Sequence, residues 1–313
     1  MRVLVTGGAG FIGSHLTDAL VARGDDVTVV DDLSAGRIGR LHRDVNLHVQ
    51  DITGSRQFAA LAEAVRPEVI CHLAAQIDVR ASVAAPAADS RVNVTGTVNV
   101  LEAALAVGAR VVFSSTGGAI YGRNAPVPSP ETAESLPESP YGTAKYCAEQ
   151  YVGLFNRLHG TNHGILRFAN VYGPRQGASG EGGVVAIFCS RAFHGKPLTI
   201  FGEGRQTRDF VYVEDAVAAI LAAVDRGRPG TWNIGTGSEV TVLDLAALVG
   251  KVSGRPCEVE FAPARPGELD RSALLATRAW EELGWCPETS LADGVAAVCQ
   301  WIEAGGQDRA TAG

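Results

Sequence analysis

Val3-Leu-Val-Thr-Gly-Gly-Ala-Gly-Phe-Ile-Gly13 starts the chain with a short apolar run, three spaced glycines and the head of an amphipathic stretch. The run Val3–Thr6 is short and mostly β-branched, which predicts a strand. Ile12–Arg23 carries apolar residues at three- and four-residue spacing, which predicts a helix. Between them each glycine has its own task. Gly7 permits the tight turn, Gly10 lets the backbone approach a pyrophosphate, and Gly13 lets helix and strand pack closely. The helix start, at Phe11 and Ile12, supplies free N–H groups and the positive end of a dipole to phosphates.

The same alternation continues downstream. Val27–Asp31, Leu47–Gln50, Val69–His72 and Val111–Ser114 read as strands, while Ser55–Arg66 and Asn93–Val107 read as helices. Strands separated by helices predict an α/β fold, a doubly wound parallel sheet covered on both faces. Asp31 closes the second strand, where a carboxylate can bind the adenosine ribose hydroxyls. Asp32 follows it and no arginine does, so a 2′-phosphate would meet repulsion and NAD is favoured over NADP. Asn124–Pro140, punctuated by prolines, reads as a loop. Beyond about Leu166 the pattern becomes irregular, and the Gly-rich Gly173–Gly183 and Pro/Arg-rich Ala262–Gly267 predict loops of a smaller lobe.

Composition narrows the class. The 313 residues are 46% hydrophobic and 19% charged, as in a soluble globular protein. A net charge of −7 argues against nucleic-acid binding by bulk electrostatics. An anionic ligand would have to be held by local arginines and backbone amides. Met1 leads directly into a strand, so no secretory leader is expected, and no apolar run approaches the length of a membrane helix. Six dispersed cysteines without a Cys-x-x-Cys read as small apolar core residues of a reducing cytoplasm, and no metal site is expected.

A second stretch, Glu138-Ser-Pro-Tyr-Gly-Thr-Ala-Lys145, concerns chemistry. The chain has only three lysines, Lys145, Lys196 and Lys251, so a Tyr-x-x-x-Lys pair is not common background. Four-residue spacing puts Tyr141 and Lys145 on one helix face, one turn apart, and Pro140 suits a helix start. A free tyrosine titrates near pH 10, and a neighbouring ammonium and a positive nicotinamide ring would both lower that value.

Taken together, Gly7-x-x-Gly-x-x-Gly13, Asp51-Ile52, His72-Leu-Ala-Ala75, Ser114-Ser-Thr116 and Tyr141-x-x-x-Lys145 resemble the extended short-chain dehydrogenase/reductase family, through about Gly284. The resemblance implies a Rossmann-type sheet with a smaller C-terminal α/β substrate lobe. It implies NAD-binding residues 1–165, with a segment around 205–235 returning to that domain. The nucleotide-sugar lobe would be 166–204 and 236–305, followed by a flexible tail at 306–313. It implies cofactor contacts from Gly7, Gly10, Phe11, Ile12, Gly13, Asp31, Asp32, Leu33, Ser34, Asp51, Ile52, Leu73, Ala74, Ala75 and Ser114, with Tyr141 and Lys145.

Later segments, Arg167-Phe-Ala-Asn-Val-Tyr-Gly-Pro174, Leu198-Thr-Ile-Phe-Gly202, Arg208-Asp-Phe-Val-Tyr-Val-x-Asp215 and Arg265-Pro-Gly-Glu268, resemble the UDP-hexose 4-epimerases. This implies that Asn170, Arg208 and Arg265 hold the UDP diphosphate, Thr199 and Phe201 line the uracil pocket, and Glu268 belongs to the same set. Thr116 would hydrogen-bond the reacting hydroxyl, with Ser115 in reserve. Tyr141 would take the proton of the sugar 4-OH as hydride leaves C4 for tightly bound NAD. The 4-keto sugar would turn, and hydride would return to its other face. Dehydratases of this type carry an Asp-Glu pair directly after the threonine, and decarboxylases a glutamate in the same segment; Gly117-Gly118 stands here instead, and glycine transfers no protons. A ketoreductase or dehydrogenase, and a non-catalytic NAD-binding regulator, stay open. UDP-glucose/UDP-galactose is the first choice of substrate; Ser272, a small residue at the family's size gate, leaves UDP-GlcNAc open, and UDP-glucuronate stays open too, with Arg80 as a candidate for its carboxylate. A homodimer through the helices Asn93–Val107 and Tyr141–His159 is expected, with neither nucleic acid nor membrane as partner.

Overall fold

Alternation along the first strand sets the two faces of the sheet. In β1 (Arg2–Thr6), Val3 and Val5 enter one core and Leu4 the opposite one. The computed structural model describes residues 1–178, 183–264 and 268–306. Twelve further strands follow among them: β2 (Asp26–Asp31), β3 (Asn46–Val49), β4 (Val69–His72), β5 (Arg110–Thr116), β6 (Gly164–Phe168), β7 (Asn170–Tyr172), β8 (Leu198–Phe201), β9 (Thr207–Arg208), β10 (Phe210–Tyr212), β11 (Gly230–Ile234), β12 (Val240–Thr241) and β13 (Val259–Ala262). The helices are α1 (Phe11–Ala22), α2 (Ser55–Val65), α3 (Val79–Ala84), α4 (Pro86–Ser90), α5 (Gly96–Val107), α6 (Gly117–Ile120), α7 (Pro140–His159), α8 (Val184–Phe193), α9 (Val213–Arg226), α10 (Val242–Ser253), α11 (Thr277–Leu283) and α12 (Leu291–Glu303).

Seven strands form one parallel sheet in the order β11-β6-β5-β4-β1-β2-β3. Leu16 and Leu20 of α1, Ile220 of α9 and Ala279 of α11 pack on one face; Phe58 of α2, Leu101 of α5 and Val152 of α7 cover the other. The chain winds outward in opposite directions from β1 and from β4, so the crevice beyond the carboxyl ends of these two strands is the place where such sheets bind ligands. Pairing of Thr6 with His72 sets the loop after β4 directly beside the glycine turn.

Beyond β6 the chain alternates between two bodies. β8 pairs in parallel with β13, and Leu198 and Ile200 join Phe188, Leu245, Val249 and Val298 in a second core between α8, α10 and α12. The segment 205–235 contributes α9 and β11 to the large sheet. Two expectations differ in detail. The boundary drawn at 165 falls inside β6, because that strand pairs with β5 through Phe168. The helix expected at Asn93 begins as a π-helical turn, Arg91–Thr95, before α5.

Candidate functional site

At the crevice, the glycines are held by contacts no side chain would permit. Gly7 adopts φ +71° and donates its N–H to the Val30 carbonyl at 2.8 Å. A Cβ on Gly7 would lie 2.7 Å from the Ala74 nitrogen, and one on Gly13 would lie 2.1 Å from the Gly7 oxygen. Gly10 precedes α1 without any side-chain cap, and the first turn, at Phe11 and Ile12, holds no acidic residue. The helix therefore presents its positive end, unneutralised, to an anion.

The Asp31 carboxylate closes one wall. Its Oδ2 accepts the Ala9 N–H and its Oδ1 the Leu33 N–H, both at 2.9 Å. Leu33 turns with φ +59°, a backbone state that costs a leucine energy and that clusters at functional sites. Burial raises the Asp31 pKa above its usual value. Asp32 accepts the Ser34 N–H at 2.9 Å and so shapes the same turn. On the far wall, Thr6 accepts the Leu73 N–H through its carbonyl at 3.1 Å and the Ala74 N–H through Oγ1 at 3.2 Å, with Ala75 beyond them. Asp51 is exposed and accepts the Thr53 N–H at 2.8 Å. Ile52 differs in character, since its side chain is buried against Gly96 in the core. An uncapped helix start at a glycine turn, facing a carboxylate at the end of β2, fits the pyrophosphate and ribose of a dinucleotide.

Tyr141 and Lys145 stand on α7 opposite the end of β5. Ser139 caps that helix by accepting the Gly142 N–H at 3.1 Å, Pro140 occupies its first turn, and Gly160 ends it with φ +66°. The Tyr141 N–H donates to Ser82 Oγ at 3.2 Å, which ties the helix start to α3. Thr116 lies near enough to the phenol to draw its titration downward, so β5 and α7 bring together two of the three expected catalytic residues. The Lys145 ammonium is buried beneath them, 4.5 Å over the Phe113 ring. Burial pushes the tyrosine up to about 12, with a further push from Asp89 and only Thr116 acting downward. That corrects the expectation of a phenol lowered by Lys145: in the protein alone, loss of phenolate solvation wins. Burial also brings Lys145 down to about 8, against the pull of Glu149 and Asp89. Ser114 lies partly exposed at the strand end, and the buried Ser115 hydroxyl has no protein partner.

Several buried polar groups around this couple escape a reading of the sequence. Arg167 grips Glu149 with Nη2 at 2.6 Å and Nε at 3.0 and 3.1 Å, and donates to the Tyr121 hydroxyl at 2.8 Å. His72 links Thr6 at 2.7 Å to Thr97 at 3.0 Å. Asp89 accepts from Gln76 at 2.8 Å and Asn93 at 3.0 Å. Polar residues inside apolar strand and helix patterns were the available signal.

In β9, Arg208 donates to the Thr207 carbonyl at 2.7 Å, to the Leu269 carbonyl at 2.8 Å and to Glu268 at 2.9 Å. Glu268 thus orients the guanidinium. Asn170 is exposed at the start of β7. Thr199 and Phe201 alternate with the buried Leu198 and Ile200, so both turn away from the second core. Arg265 lies outside the described residues. At the end of β5, Leu274 presses on Gly117, where a Cβ would come within 2.4 Å of its Cδ1, whereas a Cβ on Gly118 would meet nothing closer than Asn170 Oδ1 at 3.7 Å.

Residues 3–235 match the model of the NAD dependent epimerase/dehydratase family. The chain belongs to that family. A UDP-glucose 4-epimerase of Mycolicibacterium smegmatis is 44% identical over 309 residues, covering 96% of this chain and 98% of the relative. A crystal structure of a UDP-glucose 4-epimerase with UDP-glucose, from Thermotoga maritima, superposes with a TM-score of 0.96 at 44% identity, covering 97% of this chain and 99% of that one. A Thermus thermophilus UDP-glucose 4-epimerase in complex with NAD gives 0.92 at 38% identity, covering 97% and 99%. The glycine turn follows β1, Asp31 ends β2 and Thr116 ends β5, all at the carboxyl edge of one parallel sheet. Among the described residues no group of His, Cys, Asp and Glu could hold a metal ion, and no helix is long and apolar enough to cross a membrane.

Proposed function

We propose that this protein interconverts UDP-hexoses at C4, with UDP-glucose and UDP-galactose as the first pair, using resident NAD. The observation that carries the reading is a Thr116–Tyr141 pair placed at the end of β5 and followed by Gly117-Gly118 rather than by further acids. Dehydration needs a proton donor and a base at neighbouring carbons, and this segment supplies neither. A side chain at Gly117 would have to displace the end of Leu274, and one at Gly118 would meet Asn170 Oδ1 at 3.7 Å.

In this mechanism the chain's own groups handle the proton. Thr116 holds the sugar 4-hydroxyl, and Tyr141 accepts its proton and later returns it. Lys145 keeps a positive charge beside the phenol, which favours the phenolate. The α1 amino end and Asp31 would hold NAD, which when bound supplies the acceptor and donor of hydride at C4. Arg208, set by Glu268, and Asn170 would hold the diphosphate, with Arg265 proposed beside them and Thr199 and Phe201 at the uracil. The match of this reading to the epimerases similar to it supports UDP-glucose as substrate; Ser272 keeps UDP-GlcNAc in the test panel.

The test is to incubate purified protein separately with UDP-glucose, UDP-glucuronate and UDP-GlcNAc, without added NAD. Appearance of UDP-galactose is expected; turnover of none of the three would overturn the reading and favour a binding protein. Arg208→Ala should raise KM for the productive sugar by about ten- to a hundredfold with a smaller loss in kcat, as expected for a charge-assisted contact made in ground and transition state alike.

A homodimer through α5 and α7 belongs to the proposal. Leu105 on α5 and Tyr151, Leu154 and Leu158 on α7 are exposed apolar residues, the last at 67%. Spacing of three and four places those of α7 on one stripe. Light scattering after size exclusion should give twice the chain mass, and Leu158→Asp should shift it towards one.

A further inference from the structure

Arg167 takes no part in the proton transfer above, yet it is bonded to both of the elements that carry it out. It stands on β6 two residues after Ile165, so strand alternation turns it to the sheet face covered by α7, where Ile165 packs with Ala148 and Val152. Arg167 is 6% exposed and Glu149 3%, so the pair they form is sealed from water. One side of the guanidinium closes on Glu149, with Nη2 at 2.6 Å and Nε at 3.0 and 3.1 Å. Its Nη1 donates instead to the Tyr121 hydroxyl at 2.8 Å.

Each partner leads along the chain to one reacting side chain. On α7, Tyr141, Lys145 and Glu149 follow one another at four-residue spacing, so a grip on Glu149 fixes the stripe that carries the phenol, about two turns away. A slip of α7 by one residue would move Tyr141 by about 1.5 Å and turn it by about 100°. Tyr121 ends the short α6 turn that begins directly after Thr116. Its hydroxyl donates to Asn233 Oδ1 on β11 at 2.7 Å. Asn233 in turn donates through Nδ2 to the Ser129 carbonyl and through its N–H to Glu131, both at 2.8 Å. Ser129 and Glu131 lie in the loop that runs into α7, so the bonds lead back to that helix. A buried charge pair adds little net stability over apolar side chains, whereas its directional bonds admit one arrangement. We propose that Arg167 is a positioning residue that sets the separation of Thr116 from Tyr141, holding α7 through Glu149 and the turn after β5 through Tyr121. The inference rests on the reading of Thr116 and Tyr141 as the reacting pair, but its first test is a distance and needs no turnover.

Removing either charge alone leaves the other buried and unpaired, which is strongly destabilising. The double variant Glu149→Leu/Arg167→Met removes both together and puts apolar side chains of similar size in their place, a change that is often near neutral for stability. Its crystal structure should show the distance from Thr116 Oγ1 to Tyr141 Oη altered by about 0.5 Å or more, the tolerance within which reacting groups must be held. For the productive sugar, kcat should fall by about ten- to a hundredfold with little change in KM, because misplacement acts on the chemical step. Tyr121→Phe keeps the charge pair and the ring that lies 5.1 Å from the guanidinium, and releases the Thr116 side alone. It should give a smaller change of the same kind, and it decides if the double variant does not fold. A role in stability alone would lower the melting temperature and leave both the distance and kcat where they were. An unaltered distance in the folded double variant would overturn the proposal, whatever the activity, and so would an altered distance with kcat unchanged. An altered distance in a protein that turns over no sugar even before substitution would instead count against the epimerase reading alone.

Discussion

Tyr141→Phe should lower kcat by a factor of about 10²–10⁴ while leaving bound NAD and the melting temperature near those of the unaltered protein. The ring stays, so packing between α7 and α3 is kept, and the Tyr141 N–H still donates to Ser82. What disappears is the hydroxyl beside Thr116 that carries the 4-OH proton in this mechanism. Because that proton moves only in the chemical step, KM should change far less than kcat. Since burial holds the phenol up near 12 in the protein alone, the rising limb of the kcat profile reports how far bound cofactor and substrate lower it. A Phe variant keeping more than about a tenth of the rate would remove Tyr141 from the mechanism.

Gly13→Ala should cost the protein its cofactor. The new Cβ would lie 2.1 Å from the Gly7 oxygen and 2.7 Å from the Gly8 Cα, and both are backbone atoms that no rotamer change can clear. Relief requires α1 to move off β1, which opens the core at Leu16 and Leu20 and displaces the helix start from the phosphates. Overpacking of this kind costs about 1–3 kcal/mol. At roughly 2–4 °C per kcal/mol for a chain somewhat smaller than this one, melting should fall by several degrees. Nucleotide released from the purified variant, measured by chromatography, should drop to a small fraction of that from the unaltered protein. A variant purified with full NAD and an unchanged melting point would contradict the assigned packing of the cradle.

Legibility in the sequence followed the range of the forces involved. The strands from Val3 to Ser114 and the start of α7 at Pro140 were readable because pattern, glycine turn and proline are local signals. The return of 205–235 to the large sheet, and β6 crossing residue 165, depend on pairing across the chain, which pattern alone cannot place. At the site, the glycine turn, Asp31, Thr116 and the Tyr141/Lys145 couple were legible because each needs a residue type that few other tasks need. Asp89, Asn93 and Gln76 were not. In the sequence they are ordinary polar residues, and only the fold brings the loop after β4, α4 and the π-helical turn together so that they bond one another. Arg208 and Glu268 were expected to face one ligand together, and the hydrogen-bonded ion pair between them is a contact that the sequence did not signal.

The central claim is that hydrogen at C4 leaves and returns within one active site, without exchange into solvent. UDP-[4-²H]glucose supplied to the purified protein in ordinary water, without added NAD, tests it most directly. Mass spectrometry and NMR of the product should show UDP-galactose with deuterium still at C4. Loss of that deuterium to water, or a dehydrated 4-keto-6-deoxy product, would contradict the account.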